Sequence, residues 1–219
     1  MLYTNNAQAE LQAVNEILAS IGQAPVTTIE AQTITYEDGS TVEAVINPEV
    51  AIAFETLMQV SREVQAEGWI FNKETEYPAT PDTNGYLNLT GNMLQMDLSD
   101  IFENSEYDTV IRNGRLYDKI AHTDVWDTTK TYSVDVVWYR DFTDLPQVFR
   151  DYITAKAATR CATRLVGDVN LTQTLASFEG WRRANCLEYE CNEGDYTMFG
   201  FKKGDSFYSS YQPFKALAR

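Results

Sequence analysis

The feature that most constrains the fold is an ordered change of hydrophobic period along the chain, from helical to β and back to helical. Apolar residues recur every three or four positions over 7–21 and again after Asn47-Pro48, and glycines follow both patterns. Two amphipathic helices are therefore predicted. Between them, Asp38-Gly39 separates two β-forming runs, which predicts a hairpin with strands near 33–36 and 41–46.

Residues 72–140 have the character of β-structure. Asn113-Gly114 lies between β-forming runs at 109–112 and 115–118 and is the strongest hairpin signal in the chain. Further strands are predicted at 86–89, 93–98 and 132–139. Three consecutive apolar residues at 136–138 indicate that part of the last strand is buried on both faces.

Two more helices are predicted in the C-terminal part. The segment 146–166 is small or apolar on most faces, as a central helix would be. Gly180 lies inside the second helix, 171–193, at a cost of about 1 kcal/mol relative to alanine, so we expect a close packing contact there. The apolar residues of that helix are predicted to share one broad face: Leu171, Leu175, Phe178, Trp181, Cys186 and Tyr189.

These patterns predict an α+β protein with a discontinuous helical domain. Two N-terminal and two C-terminal helices, in 1–71 and 141–193, would form a domain of the four-helix type. A β-rich domain at 72–140 would be inserted between them. From 194 to 219 the chain is rich in aromatic residues and lacks helical period, so an extended C-terminal arm is predicted.

The charge of the chain excludes several classes of binding protein. There are 17 Lys and Arg against 32 Asp and Glu in 219 residues, which gives a net charge of −15. A protein that reads DNA or RNA sequence normally has a basic surface, and docking on an anionic membrane also requires cations. No apolar run approaches the roughly 18 residues of a membrane span.

The sequence also lacks the common catalytic motifs. The single histidine, His122, excludes zinc sites with two histidines, and none of the three cysteines belongs to a Cys-x-x-Cys pair. No phosphate-binding loop or nucleophile elbow is present. A glycosidase needs only two carboxylates, but the sequence cannot select a pair among so many acids. We therefore predict no catalytic residue, cofactor or metal.

Two features are candidates for subunit contacts. Lys156, Arg160 and Arg164 follow one another at intervals of four, with Arg150 nearby, and form a basic stripe on an apolar helix. They either pair with acids of a neighbouring helix or accept an acidic neighbouring subunit. The arm either packs on its own helices or reaches over an adjacent subunit through its aromatic residues, including Tyr196, Phe199, Phe201, Phe207 and Tyr208.

Six segments carry a family resemblance: 13–22, 68–72, 113–118, 140–146, 156–160 and 186–190. In their order and spacing, from about residue 8 to about residue 200, they resemble the tail tubular protein A family of T7-like, short-tailed bacteriophages. The stretch 29–46 departs from the family pattern because a hairpin is inserted or enlarged there.

The resemblance implies a structural protein rather than an enzyme. Members of this family form dodecameric rings between the portal protein and the hexameric tail nozzle (tail tubular protein B). Double-stranded DNA would pass through the ring without sequence-specific binding, and no membrane or cofactor is implied. The chain would be part of the virion tail, assembled in the host cytoplasm. The alternatives are a virion-associated carbohydrate hydrolase that uses an acidic pair, another head-to-tail connector subunit, and a dimeric binding module.

Overall fold

The computed structural model describes residues 5–29, 32–35, 41–44, 47–99 and 106–194, with the backbone alone at 5–7 and in the two strands at 32–35 and 41–44. The chain divides into two compact units. The first combines residues within 1–64 and 140–189, and the second combines residues within 65–139 and 190–219. Each unit has its own secondary structure and core.

Helices dominate the first unit. A short antiparallel hairpin of β1 (Gln32–Thr35) and β2 (Thr41–Ala44) also belongs to it, as predicted. Within the described residues the α-helices are α1 (Asn5–Ser20), α2 (Pro48–Gln65), α3 (Gln147–Cys161) and α4 (Val169–Glu193). Helix α3 is continued by a π-helical turn, Ala162–Val166, so the predicted helix 146–166 loses its α-helical geometry after Cys161.

The core of this unit lies around α3, which confirms that α3 is a central helix. Its buried residues include Phe149, Tyr152 and Ile153, and they are joined by the small residues Ala157 and Ala158. Small side chains allow neighbouring helices to approach closely. The other helices complete the core with Val14, Ile17 and Leu18 of α1 and Leu57, Val60 and Val64 of α2, all fully buried.

The second unit is built on a three-stranded antiparallel sheet and a separate hairpin. The sheet has the order β3 (Lys73–Ala79), β7 (Tyr132–Trp138), β4 (Met93–Leu98). The hairpin joins β5 (Thr109–Arg112) to β6 (Arg115–Asp118). Asn113 and Gly114 at its turn have φ values of 52° and 71°, as a tight hairpin turn requires, so this prediction is confirmed. The core cluster consists of Leu87, Met96, Leu116, Trp126, Tyr132, Val134 and Val136.

Strand predictions fail at two places in this unit. Segment 86–89 is not a strand; it makes only isolated bridges, from Tyr86 to Val125 and from Asn88 to Arg115. Strand β3 was not predicted, because it contains Pro78 and four charged or polar residues. Proline is tolerated there because β3 is an edge strand of the sheet.

The α+β class is confirmed by the helices and antiparallel sheets together.

Candidate functional site

The basic stripe of α3 is the first predicted contact surface. One of its residues, Arg160, forms an ion pair within the chain. Arg160 donates from Nη1 to Oε1 of Glu63 at 2.7 Å and from Nη2 to the other carboxylate oxygen. Such a two-bond fork is the strongest common ion-pair geometry. The hydrogen bonds from Arg160 lower the pKa of Glu63 below its usual value. Arg160 therefore joins α3 to α2.

Lys156 and Arg164, also in the stripe, have neighbours that differ from those of Arg160. The Lys156 ammonium lies 5.7 Å from the centre of the Tyr152 ring on its own helix. Arg164 is exposed beside a groove that it shares with Ile52, Glu55, Thr56 and Gln59. The four predicted cations thus occupy different environments along α3 and its π-helical turn.

Arg150 is the least satisfied member of the stripe. Its Nε is buried and has no hydrogen-bond partner among the described residues. The side chain lines a shallow groove with Glu16 and Asp151. Burial raises the pKa of Glu16, and the charge of Asp151 raises it further. Arg182 acts in the opposite direction and lowers the pKa of Glu16, so burial is the main cause of the raised value.

Two further arginines, on α4, are also used within the chain. Arg182 donates from Nη1 to Oδ2 of Asp151 at 2.9 Å. Arg183 donates from Nη1 to the Tyr152 hydroxyl, also at 2.9 Å. Both contacts fasten α4 to α3. The interpretation that cations pair with acids of neighbouring helices therefore holds for Arg160 and Arg182.

The predicted contacts in the arm cannot be placed. Five candidate residues fall on it, and all lie outside the described residues: Tyr196, Phe199, Phe201, Phe207 and Tyr208. Their role in subunit contacts stays a prediction.

The apolar residues that the sequence places on one broad face of α4 differ in burial. Cys186 is buried, but Phe178 and Trp181 are 57% and 58% exposed. The reason is geometric: positions 181 and 186 are five apart and therefore lie roughly 140° apart around a helix. A Cβ built at Gly180 would meet nothing within 4 Å among the described residues, so the close contact expected there is not made within that part of the chain.

The exposed part of α4 carries no charge over most of its length. Between Val169 and Leu187, a segment that the structure describes completely, every charged residue is partly buried. We call the exposed remainder the neutral α4 face. It consists of Val169, Asn170, Gln173, Thr174, Ala176, Ser177, Phe178, Gly180, Trp181, Ala184 and Leu187. Sequence periodicity missed this face because it does not reveal which side of a helix its neighbours cover.

An acidic pair is present in the second unit. Asp97 of β4 lies directly opposite Asp135 of β7 and lines the same groove. The Thr109 hydroxyl donates to Asp97, and the Ser99 hydroxyl donates to Asp135. Each carboxylate therefore has its own hydrogen-bond donor, as two like charges on adjacent strands require. No cluster of three or more potential metal ligands occurs in the described part of the chain.

The loop after β6 exposes apolar residues at the edge of the second unit. Ile120 and Val125 are 59% and 54% exposed. His122, between them, is exposed and lies in a turn with a φ of 56°. Apolar side chains this exposed are candidates for contact with a partner.

Comparison with known proteins completes this description. A family model described as "Tail tubular protein" matches residues 11–196. No curated protein matches the chain significantly. Within the described residues, no helix has the length and hydropathy needed to cross a membrane. Because the match covers most of the chain, this protein belongs to the tail tubular protein family and is a structural component of a bacteriophage tail.

Proposed function

We propose that this protein is the adaptor subunit of the tail: twelve copies form a ring that joins the portal to the tail nozzle and surrounds the DNA channel. The observation that carries the proposal is the family match over 11–196. The same segment contains α2, α3 and α4 completely and most of α1, together with the second unit's sheet and hairpin. The proposal therefore concerns nearly the whole described chain.

The charge distribution supports the passage of DNA through such a ring. The net charge is −15, and two arginines of the helical unit, Arg160 and Arg182, are already paired with acids of the same chain. Repeated acidic subunits repel phosphate, so DNA would slide past them without being retained. A channel of this kind needs no base-specific contact.

We assign different roles to the parts of the chain. Helical segments 1–71 and 141–193 form the ring and face the portal, while the β-rich domain 72–140 docks on the nozzle. The exposed Ile120 and Val125 give the β-rich part an apolar contact. The arm, 194–219, engages an adjacent subunit.

The test is reconstitution of the full chain with purified portal and nozzle proteins. Native mass spectrometry is expected to find twelve copies of the chain for each portal ring, and the nozzle should bind only when those copies are present. A portal that binds the nozzle directly, or takes up a single copy of the chain, would contradict the adaptor role.

The division of roles has its own test within the same reconstitution. A variant carrying both Ile120→Glu and Val125→Glu should form the ring on the portal but bind the nozzle about tenfold more weakly. The control is Val110→Glu, which places a negative charge at a partly exposed strand position of the same unit. Loss of the ring in the double variant would refute the assignment of 72–140 to the nozzle.

A further inference from the structure

We propose that the neutral α4 face is the surface through which one copy of this chain contacts a second copy. The inference rests on the proposed ring and deepens it, because it names the contact that holds neighbouring subunits together. It places that contact on α4 rather than on the basic stripe of α3.

The first support is the exposure of large apolar side chains. Phe178 and Trp181 are more than half exposed, as is Val169, and Leu187 is 48% exposed. Aromatic side chains of this kind each bury about 150–250 Å² in a well-packed contact. They contribute little to the stability of an isolated chain while they remain in water. They therefore favour an occupant that covers this side of the helix.

The second support is charge, and it decides the occupant. A second copy also carries a net charge of −15, so two copies repel at most relative orientations. The neutral α4 face lets them approach without placing like charges in contact. Glu179, Arg182 and Arg183 flank this face and are partly buried. The Arg182 guanidinium lies 5.2 Å from the centre of the Trp181 ring, with its charge paired to Asp151. A cationic protein or DNA would instead require exposed charge of the opposite sign.

The third support is Gly180, which lies within the neutral α4 face. Glycine inside a helix destabilises it, and nothing in the described chain fills the space above this residue. Ala176 and Ala184 lie one turn away on either side and are also small and exposed. A neighbouring backbone can approach most closely at this point. In a closed ring the face would meet a different surface of the next copy.

The direct test places a negative charge on the neutral α4 face of the full chain. Trp181→Glu and Phe178→Glu are made separately, and ring assembly on the portal is measured by native mass spectrometry. Each variant should assemble about tenfold more weakly or worse, and Val110→Glu should assemble as the wild type does. Circular dichroism checks that all variants melt as folded proteins. Wild-type assembly by both α4 variants would overturn the inference.

A second measurement reports on the face without adding charge. Trp69 and Trp126 are buried, whereas Trp181 is 58% exposed. Acrylamide should therefore quench Trp181 fluorescence in the dilute chain and quench it much less in the ring. A Trp181→Phe variant identifies the signal. If truncation after Gly194 exposes Trp181 in the dilute chain, the chain's own arm covers the face and the inference is wrong.

The salt dependence of association distinguishes a contact through the neutral α4 face from one through the basic stripe. Raising the salt from about 0.05 M to about 0.5 M shortens the screening length several-fold and weakens repulsion between acidic copies. Association through an uncharged surface should strengthen or stay constant, whereas ion-paired association should weaken. Weakening would overturn the inference. If the wild-type chain forms no ring on the portal at all, it is the proposed function that fails.

Discussion

Replacing Gly180 with alanine separates the stability of the chain from its assembly. Gly180 lies in the interior of α4, its φ is not positive, and a Cβ built on it meets no atom of the described residues within 4 Å. The substitution therefore adds no clash with that part of the chain. It restricts the unfolded chain and improves helix propensity, which together should stabilise the monomer by about 0.5–1 kcal/mol.

The assay compares two quantities for Gly180→Ala and the wild type. Urea unfolding of the dilute chain, followed by circular dichroism, should show a higher midpoint with an unchanged slope, and the melting temperature should rise by about 1–4 °C. Assembly on the portal should change in the opposite direction, because the added methyl group occupies the space where a neighbouring copy approaches. A more stable chain that assembles less well is the expected result.

Two outcomes would refute this reasoning. A lower urea midpoint would mean that Gly180 makes a close contact within its own chain. A higher midpoint with unchanged or improved assembly would mean that no neighbour approaches there. The reciprocal variant Ala184→Gly serves as a control, since it should cost about 1 kcal/mol of helix stability without adding bulk to the neutral α4 face.

Four further substitutions test contacts within the two units. Asn72→Ala should destabilise the chain by about 3 kcal/mol in urea unfolding, because the Asn72 amide makes three hydrogen bonds of 2.9 Å to backbone groups, two of them buried and one partly buried. Gly167→Ala should cost about 1 kcal/mol by the same measurement, since Gly167 caps the turn after α3 with a φ of 71°. Glu63→Gln should destabilise at neutral pH only. The hydrogen bonds from Arg160 lower the pKa of Glu63, so this stability is present above the carboxyl's unfolded pKa and is lost as pH falls through the folded one. Glu16→Gln should act in the opposite direction and stabilise at neutral pH. Burial and then Asp151 raise the pKa of Glu16, so its destabilising effect is complete above the folded pKa and disappears below the unfolded one, which pH-dependent unfolding would reveal.

The elements that could be predicted are those specified by adjacent residues. Asn113-Gly114 determines the β5–β6 turn by backbone conformation alone, and the turn forms as predicted. Helix α2 begins at Pro48 and α1 follows its apolar period, for similarly local reasons. Strand β3 could not be predicted in this way. Its residues are mostly exposed and include Pro78, and it forms because β7 offers a partner from far along the chain.

The candidate surface could be predicted only in part, because exposure depends on neighbours. The sequence identified the cations of α3, but it could not tell that Arg160 faces Glu63 of α2, a residue 97 positions away. It also identified Phe178 and Trp181 as apolar residues of α4 and placed them with Cys186 on one broad face. The core side of α4 is instead defined by Cys186, whose thiol donates to the Val148 carbonyl oxygen at 3.3 Å.

These two features, the paired cations and the exposed apolar residues of α4, share one physical explanation. In a chain with a net charge of −15, each pairing of a cation with an acid of the same chain removes a cation that could have received an acidic neighbour. Arg160 and Arg182 are used in this way, and both join helices of one unit. In the proposed ring, contacts between copies would then avoid charge rather than exploit it, through an apolar, uncharged surface. Such a contact gains strength from burial, while acids elsewhere on the same subunits would repel the phosphates of DNA in the proposed channel.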